Sequence, residues 1–292
     1  MVFQTTIMNS TSDSVKNNNF LLNCCSYNMY GFWNGLSMLQ TLCSTHDVIL
    51  LQEHWLHSYE IQKLSDMFSE FNVFGISAMN DKVSLGLFCG RPFGGVALMW
   101  RKSRNFVMKV LDTDEGGRYL AASLMYDNKL FIIHCVYYPC NSSSIEYIVE
   151  MTNLVSKLEL ILEKFPCAYH IIAGDFNFSS KSGGHGFELF KSMAERCNIV
   201  DCDNFNTSDI DYTYRHESLG HQSWIDHFFV SNNLKSTISK LEIIDNGINN
   251  SDHLPVSCIF KIDNVLLQSY VHKDKLIYIE IDGTRQILLC II

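Results

Sequence analysis

The features this 292-residue chain lacks narrow its reading first. It has no excess of basic residues: 22 Lys and Arg stand against 31 Asp and Glu, for a net charge of −9. That sign excludes gripping a polyanion through overall charge, so any nucleic-acid contact has to be local. No uninterrupted apolar run approaches the ~20 residues that a helix needs to cross a bilayer. The best, "KLFIIHCVYYPC", is of strand length and holds a histidine, so no membrane partner is expected. The opening, "MVFQTTIMNSTSDSVKNNNF", has no basic stretch leading into an apolar one and does not read as a secretory leader. The 11 cysteines show no C-x-x-C and no zinc-ligand spacing, and several lie in apolar runs. This pattern argues for reduced thiols in an intracellular protein, nuclear or cytoplasmic, not secreted. There is no repeat, and the one biased block is the Asn/Ser-rich lead-in at 1–22, expected to be disordered.

What is present is core material, with 47% hydrophobic and 12% aromatic residues, enough for a large domain. From 23 to 262 the chain alternates strand-like and helix-like segments without a linker. Strands are expected at "LLNCCSYN", "DVILLQE", "FNVFGIS", "GGVALMW", "FVMKVL", "RYLAASLMY", "KLFIIHCVYY", "YHIIAGD", "YTYR", "WIDHFFVS" and "LPVSCIFKI", all short and rich in β-branched and aromatic residues. The four at 95–138 follow one another closely, as in an antiparallel meander. Helical spacing of apolar residues predicts helices over 34–45, 57–69 and 145–164, with a shorter one over 186–197. Mixed sheets with helices outside them follow from that order. The tail at 263–292 is apolar but fits no earlier pattern; it reads as divergent, either added edge strands or the remnant of a longer frame.

The apolar segments keep ending in one chemistry. Asn28, Glu53, Tyr137 or Tyr138, and the pair Asp175 and Asn177 close strands; Asp226 lies inside "SWIDHFFVS", and Asp252 and His253 precede "LPV". Alone, each has an ordinary reading as a cap, an Asx-turn or a core histidine. Together they offer hard oxygen ligands, one imidazole and one phenol, a set that suits Mg²⁺, with Mn²⁺ as a substitute. Such a set fits attack of water on phosphorus, which needs a Lewis acid, a positioned water and donors to the developing oxyanion.

In order, "SYNMYG", "VILLQEHW", "YYPCN", "IIAGDFN", "WIDHFFVS" and "SDHLPV" resemble the endonuclease/exonuclease/phosphatase superfamily across residues 23–262. Within it, "GRPFGGVALMW", "EGGRYLAASL" and "YTYRHESLGHQSWIDHFFVS" are similar to the endonuclease domain of non-LTR (LINE-type) retrotransposon polyproteins. The resemblance implies a four-layer α/β sandwich, two mixed, mostly antiparallel sheets face to face with helices outside. It implies a Mg²⁺-dependent endonuclease that nicks DNA and leaves a 3′-hydroxyl, as in target-site cleavage. Glu53 matches the main metal ligand, with Asn28 and Asp252 assisting. Asp175 matches the carboxylate that prepares water, Asn177 a donor to phosphoryl oxygens, His253 the imidazole on the phosphate, Asp226 its orienting partner and Tyr137 a phenol at the transition state. Arg118, Arg215 and Ser223 are the expected DNA contacts, although an ordinary salt bridge explains Arg118 equally well. Trp224 stands where related sequences often carry a basic residue.

The partner implied is DNA, and a monomer is expected. A reverse transcriptase is expected to be absent from this chain, which has no Tyr-x-Asp-Asp, as in a truncated copy. Two other readings stay open. One is a phosphoesterase acting on inositol phosphates or lipids; the other is a catalytically decayed nucleic-acid-binding domain.

Overall fold

The computed structural model describes residues 20–79, 86, 91–126, 129–140, 142–179, 183–262, 276–281 and 284–289. The lead-in at 1–19, the middle of the loop at 180–182 and the tail segment at 263–275 lie outside the described residues.

Two six-stranded sheets carry the fold. The first contains β1 (Phe20–Asn28), β2 (Val48–Gln52), β3 (Phe71–Ile76), β4 (Val96–Arg101), β13 (Ile238–Ile243) and β14 (Val256–Ile262), in the order β13-β14-β1-β2-β4-β3. The second contains β5 (Val107–Thr113), β6 (Tyr119–Tyr126), β7 (Lys129–Tyr137), β8 (Tyr169–Asp175), β9 (Ile199–Asp201) and β12 (Asp226–Ser231), in the order β5-β6-β7-β8-β12-β9. β1 with β2 and β7 with β8 are parallel, and the other pairings within these sheets are antiparallel. Helices α1 (Phe32–Thr45) and α2 (Gln62–Met67) follow β1 and β2, while α3 (Ile145–Lys164) and α4 (His185–Arg196) flank β8 in sequence. A small hairpin, β10 (Tyr214–His216) with β11 (His221–Ser223), precedes β12.

Strand alternation builds the layers. In β1, Leu22 and Cys24 pack between the sheets while Cys25 and Tyr27 pack with Leu39 and Leu42 of α1. In β8, Ile171 and Ala173 face the inter-sheet core and Ile172 faces Leu154, Leu158 and Phe190 on the other side. α3 matches the expected span, and its Ser144 Oγ accepts the amide of Tyr147 at 3.1 Å, a cap that contributes about 1 kcal/mol. The four-layer α/β sandwich is therefore observed.

Three expectations change. The strands at 95–138 do not form one meander, because β4 pairs with β2 and β3 while β5, β6 and β7 form their own meander in the second sheet. The 3-10 turn Lys102–Arg104, closed by left-handed Asn105, carries the chain across. The helix over 57–69 is a 3-10 turn (Ser58–Glu60) followed by the short α2. Among the described residues of the tail, β15 (Leu276–Ile281) and β16 (Thr284–Leu289) pair with each other as a separate two-stranded sheet and not with either large one.

Candidate active site

Topology brings the polar strand ends together. The two parallel pairs end at the same mouth of the sandwich, where Asn28 of β1 meets Asp175 of β8 although they are 147 residues apart in sequence. Antiparallel neighbours bring their beginnings to that mouth: Asp226 opens β12 opposite Asp175, and His253 lies just before β14. Parity then aims the side chains. Asn28, Tyr137, Asp175 and Asp226 fall on the same strand faces as the residues that fill the inter-sheet core. Gly174, beside them, is required because a Cβ there would run into the carbonyl of Val136.

At the centre, Asn28 Nδ2 donates to Asp175 Oδ2 at 2.9 Å and lies 3.5 Å from Glu53 Oε1 and from His253 Nε2. Its carbonyl oxygen is turned away to accept the Tyr30 amide at 3.0 Å, so its donor end faces the mouth. Glu53 is gripped twice: the Tyr137 hydroxyl donates to Oε1 at 2.6 Å and the Trp55 indole to Oε2 at 2.9 Å. Glu53, Trp55, Tyr30 and Asn177 all have left-handed backbones (φ from 48° to 57°). Non-glycine residues rarely adopt that conformation, and such strain concentrates where surrounding structure holds a functional geometry.

His253 Nδ1 faces Asp226 Oδ2 at 2.9 Å. Burial opposes the charged imidazole, but the carboxylates of Asp226 and then Asp175, with the hydrogen bond to Asp226, outweigh it and raise His253 to about 10. Its Nε2–H then points toward the mouth, with the carboxylates of Asp175 and Asp252 no nearer than 3.9 and 4.0 Å. For Asp175, burial pushes the carboxyl up to about 7; His253 opposes this and Asp226 adds to it. Burial also raises Asp252. Asn177 donates its backbone amide to Asp175 Oδ1 at 2.9 Å and its side-chain amide to the Tyr138 carbonyl at 2.8 Å.

The structure thus brings Asn28, Glu53, Tyr137, Asp175, Asn177, Asp226, Asp252 and His253 to one mouth. The expected DNA contacts distribute differently. Arg118 pairs with Glu150 of α3 at 2.6 Å and lies 4.8 Å over the Tyr137 ring, so the ordinary salt bridge is present and the arginine backs the phenol. Arg215 is exposed beside Asp252, lining a cavity of about 490 Å³. Ser223 pairs across the small hairpin with Tyr214, whose ring lies 5.0 Å from that of His253.

Sequence reasoning missed the supporting groups. Trp55 was visible only as an aromatic two residues past Glu53. Thr213 Oγ1 accepts the amides of Ile225 and Asp226, at 3.0 and 2.9 Å. Ser251 Oγ donates to the Asn28 carbonyl at 2.8 Å and accepts the His253 amide at 3.1 Å, tying β1 to the histidine; its place in "SDH" was the available signal.

Asp175, Asp226 and His253 present potential ligand atoms within 4.8 Å of one another. Since His253 and Asp226 already bond each other, that trio is an ion pair before it is a cage. The carboxylate set by its donors alone, Glu53, is the better fit to a hard divalent cation. Asp226 Oδ1 and Asp252 Oδ1 are buried without a hydrogen-bond partner, leaving acceptor capacity at the same mouth.

Residues 25–253 match the model of the Endonuclease/Exonuclease/phosphatase family. No curated protein matches the sequence. Among solved structures, AP endonuclease LMAP from Leishmania major is similar with a TM-score of 0.66 and 16% identity, over 83% of this chain and 88% of that one. The endonuclease domain of TRAS1, a telomere-specific non-LTR retrotransposon, gives 0.62 and 13%, over 82% and 98%. The 3′ phosphatase NExo from Neisseria, bound to a product DNA hairpin, gives 0.61 and 15%, over 82% and 100%.

Proposed function

The chain belongs to the endonuclease/exonuclease/phosphatase family, and from that premise we propose that it is a divalent-metal-dependent endonuclease that nicks DNA by hydrolysing a phosphodiester to a 3′-hydroxyl and a 5′-phosphate. The observation that carries this reading is the His253–Asp226 pair facing Asp175 across the mouth from Glu53.

Glu53, assisted by Asp252, would hold the cation, Mg²⁺ or Mn²⁺; Asn28, expected to assist as a ligand, turns its Nδ2 donor and not its oxygen to the mouth and so positions Asp175 instead. Such a cation would supply positive charge against the charge that develops as the phosphodiester is cleaved. The cationic His253 donates Nε2–H to a non-bridging oxygen, and Asp226 keeps the ring protonated and oriented. Asp175 accepts the proton of the attacking water as the oxygen–phosphorus bond forms. A carboxyl raised to about 7 is a stronger base than an exposed one and is still largely ionised just above neutrality. Asn28 and Asn177 fix its orientation. The P–O3′ bond then breaks, and the leaving oxygen takes a proton from solvent. Arg215 and Ser223, at the His253 side, would touch the DNA backbone. Target-site cleavage for a LINE-type element is the setting we favour, on the motif likeness and the TRAS1 fold.

Conversion of supercoiled plasmid to open circles in the presence of Mg²⁺, abolished by Glu53→Ala and by His253→Ala, is the expected result. Equal nicking by all three proteins sinks the site. Phosphate release from inositol phosphates without nicking would transfer the reading to a phosphoesterase.

A further inference from the structure

Beside the site, on the Glu53 side, lies a second cavity of about 510 Å³ whose walls include Trp33, Trp55, His57, Tyr59 and Arg91. Its aromatic content is unusual for an open surface: Trp33 is 69% and Tyr59 73% exposed, and large exposed rings grouped together mark binding surfaces. The rings are held in place. His57 and Tyr59 stack with their planes 6° apart and centroids 5.3 Å apart, and Trp55 presses on Gly31, where a Cβ would enter its ring. Arg91 lies 4.4 Å above the Trp55 ring and 5.4 Å from that of Tyr30, a cation on an otherwise acidic chain. The wall is continuous with the chemistry, because the Trp55 that lines the cavity is the residue whose indole holds Glu53.

We infer that this cavity receives an unpaired nucleobase of the substrate strand next to the scissile phosphate, stacked on the exposed Trp33 and Tyr59 rings with Arg91 toward the backbone. The inference rests on the nuclease reading and adds a substrate class to it: DNA with an unpaired nucleotide beside the cut, such as a gap, a flap or a frayed end. A base within a duplex already has both faces stacked on its neighbours and offers none to a protein ring. An unpaired base exposes its π-face, and stacking on aromatic side chains is tolerant of sequence. Peptide docking is the other use of an aromatic groove, but it gives no reason for the hydrogen bond from the cavity wall to Glu53.

The test is equilibrium binding of the full chain, in EDTA, to a short mixed-sequence single-stranded oligonucleotide and to the corresponding blunt duplex, by fluorescence anisotropy. The double variant Trp33→Ala/Tyr59→Ala is expected to lower the single-strand affinity relative to the duplex affinity by about tenfold or more. Trp33→Phe/Tyr59→Phe, which keeps the rings, is expected to restore the ratio, and circular dichroism checks the fold of both. An unchanged ratio in the alanine variant overturns the inference, as does capture of a proline-rich peptide by this face with oligonucleotide binding untouched. The two readings fail separately. A wild-type protein that never nicks plasmid but shows the ring-dependent ratio loses the nuclease assignment alone; one that nicks with an unchanged ratio loses the base-binding cavity alone.

Discussion

β12 opens on two consecutive buried residues, Asp226 and His227, and each completes a buried histidine–aspartate pair on opposite faces of the same sheet. Their difference separates structure from chemistry. His227 is closed: Nδ1 faces Asp203 Oδ2 at 2.8 Å, Nε2 faces the Phe178 carbonyl at 3.0 Å, and Phe176 and Phe178 pack around the ring. Both ring nitrogens meet acceptors, so the imidazolium is satisfied within the fold. Burial opposes its charge, but Asp203 foremost, with Asp201 and that carbonyl, raises it to about 9. The second pair is open. His253 has one nitrogen on Asp226 and the other aimed into the mouth, and Asp226 keeps one oxygen without a partner. Each aspartate keeps one oxygen without a partner, so the difference lies in the histidines: both ring nitrogens of His227 are matched within the fold, while His253 leaves one for a ligand.

The largest effect should come from breaking the open pair. His253→Ala is expected to lower nicking per folded molecule about 10³-fold, since a general-acid or oxyanion donor contributes on that scale. A variant that melts early but nicks normally would reverse the two assignments. Breaking the closed pair should do the opposite: Asp203→Ala leaves a buried imidazolium unmatched and is expected to cost roughly 3–5 kcal/mol in urea unfolding, with residual nicking per folded molecule within a few-fold of wild type.

pH sharpens the same contrast. A histidine raised to about 9 from the ordinary 6.5 contributes stability that is full below pH 6.5 and is lost as pH rises through about 9. The stability difference between wild type and Asp203→Asn should therefore shrink over that window, by something on the order of 3 kcal/mol. Asp201, pushed up to about 6 by burial and by Asp203, titrates below it. A difference that stays flat from pH 6.5 to 9 would mean that His227 is not charged by its partner. The smallest effect concerns Arg118, half in each world. Its pairing with the exposed Glu150 should contribute at most about 1 kcal/mol. Arg118→Ala is therefore expected to leave stability nearly unchanged while raising the Mg²⁺ concentration needed for half-maximal nicking, because the Tyr137 ring loses its backing. An unchanged Mg²⁺ requirement would leave the arginine with only its surface salt bridge.

Much of this could be read from the chain. The short apolar runs "VILLQ", "FIIHCVY" and "HIIAGD" mark strands, and the polar residue at each end marks the site; being buried on both faces, they do not say which layer each side chain joins. β9 and β11, three residues each, are too short to show a period. β13, "ISKLEI", carries a lysine and a glutamate, which weaken the strand signal. Which histidine would be the open one was not legible from the residues alone; only the family resemblance pointed to His253 with Asp226 as its partner. Both follow an aspartate directly, as Asp226-His227 and Asp252-His253, and neither pairs with the aspartate beside it.

By itself the sequence determined most of the strands, the long helix and the inventory of acids, amides and imidazoles, because those depend on neighbours within a few residues. The tertiary structure decided which of them meet: Asn28 with Asp175, Trp55 and Tyr137 on Glu53, Asp203 with His227 and, as the resemblance had implied, Asp226 with His253. Such pairings depend on how two sheets stack and where their strand ends coincide, over separations as large as the 147 residues between Asn28 and Asp175. They fix which buried polar atoms are satisfied by the fold and which remain for a ligand.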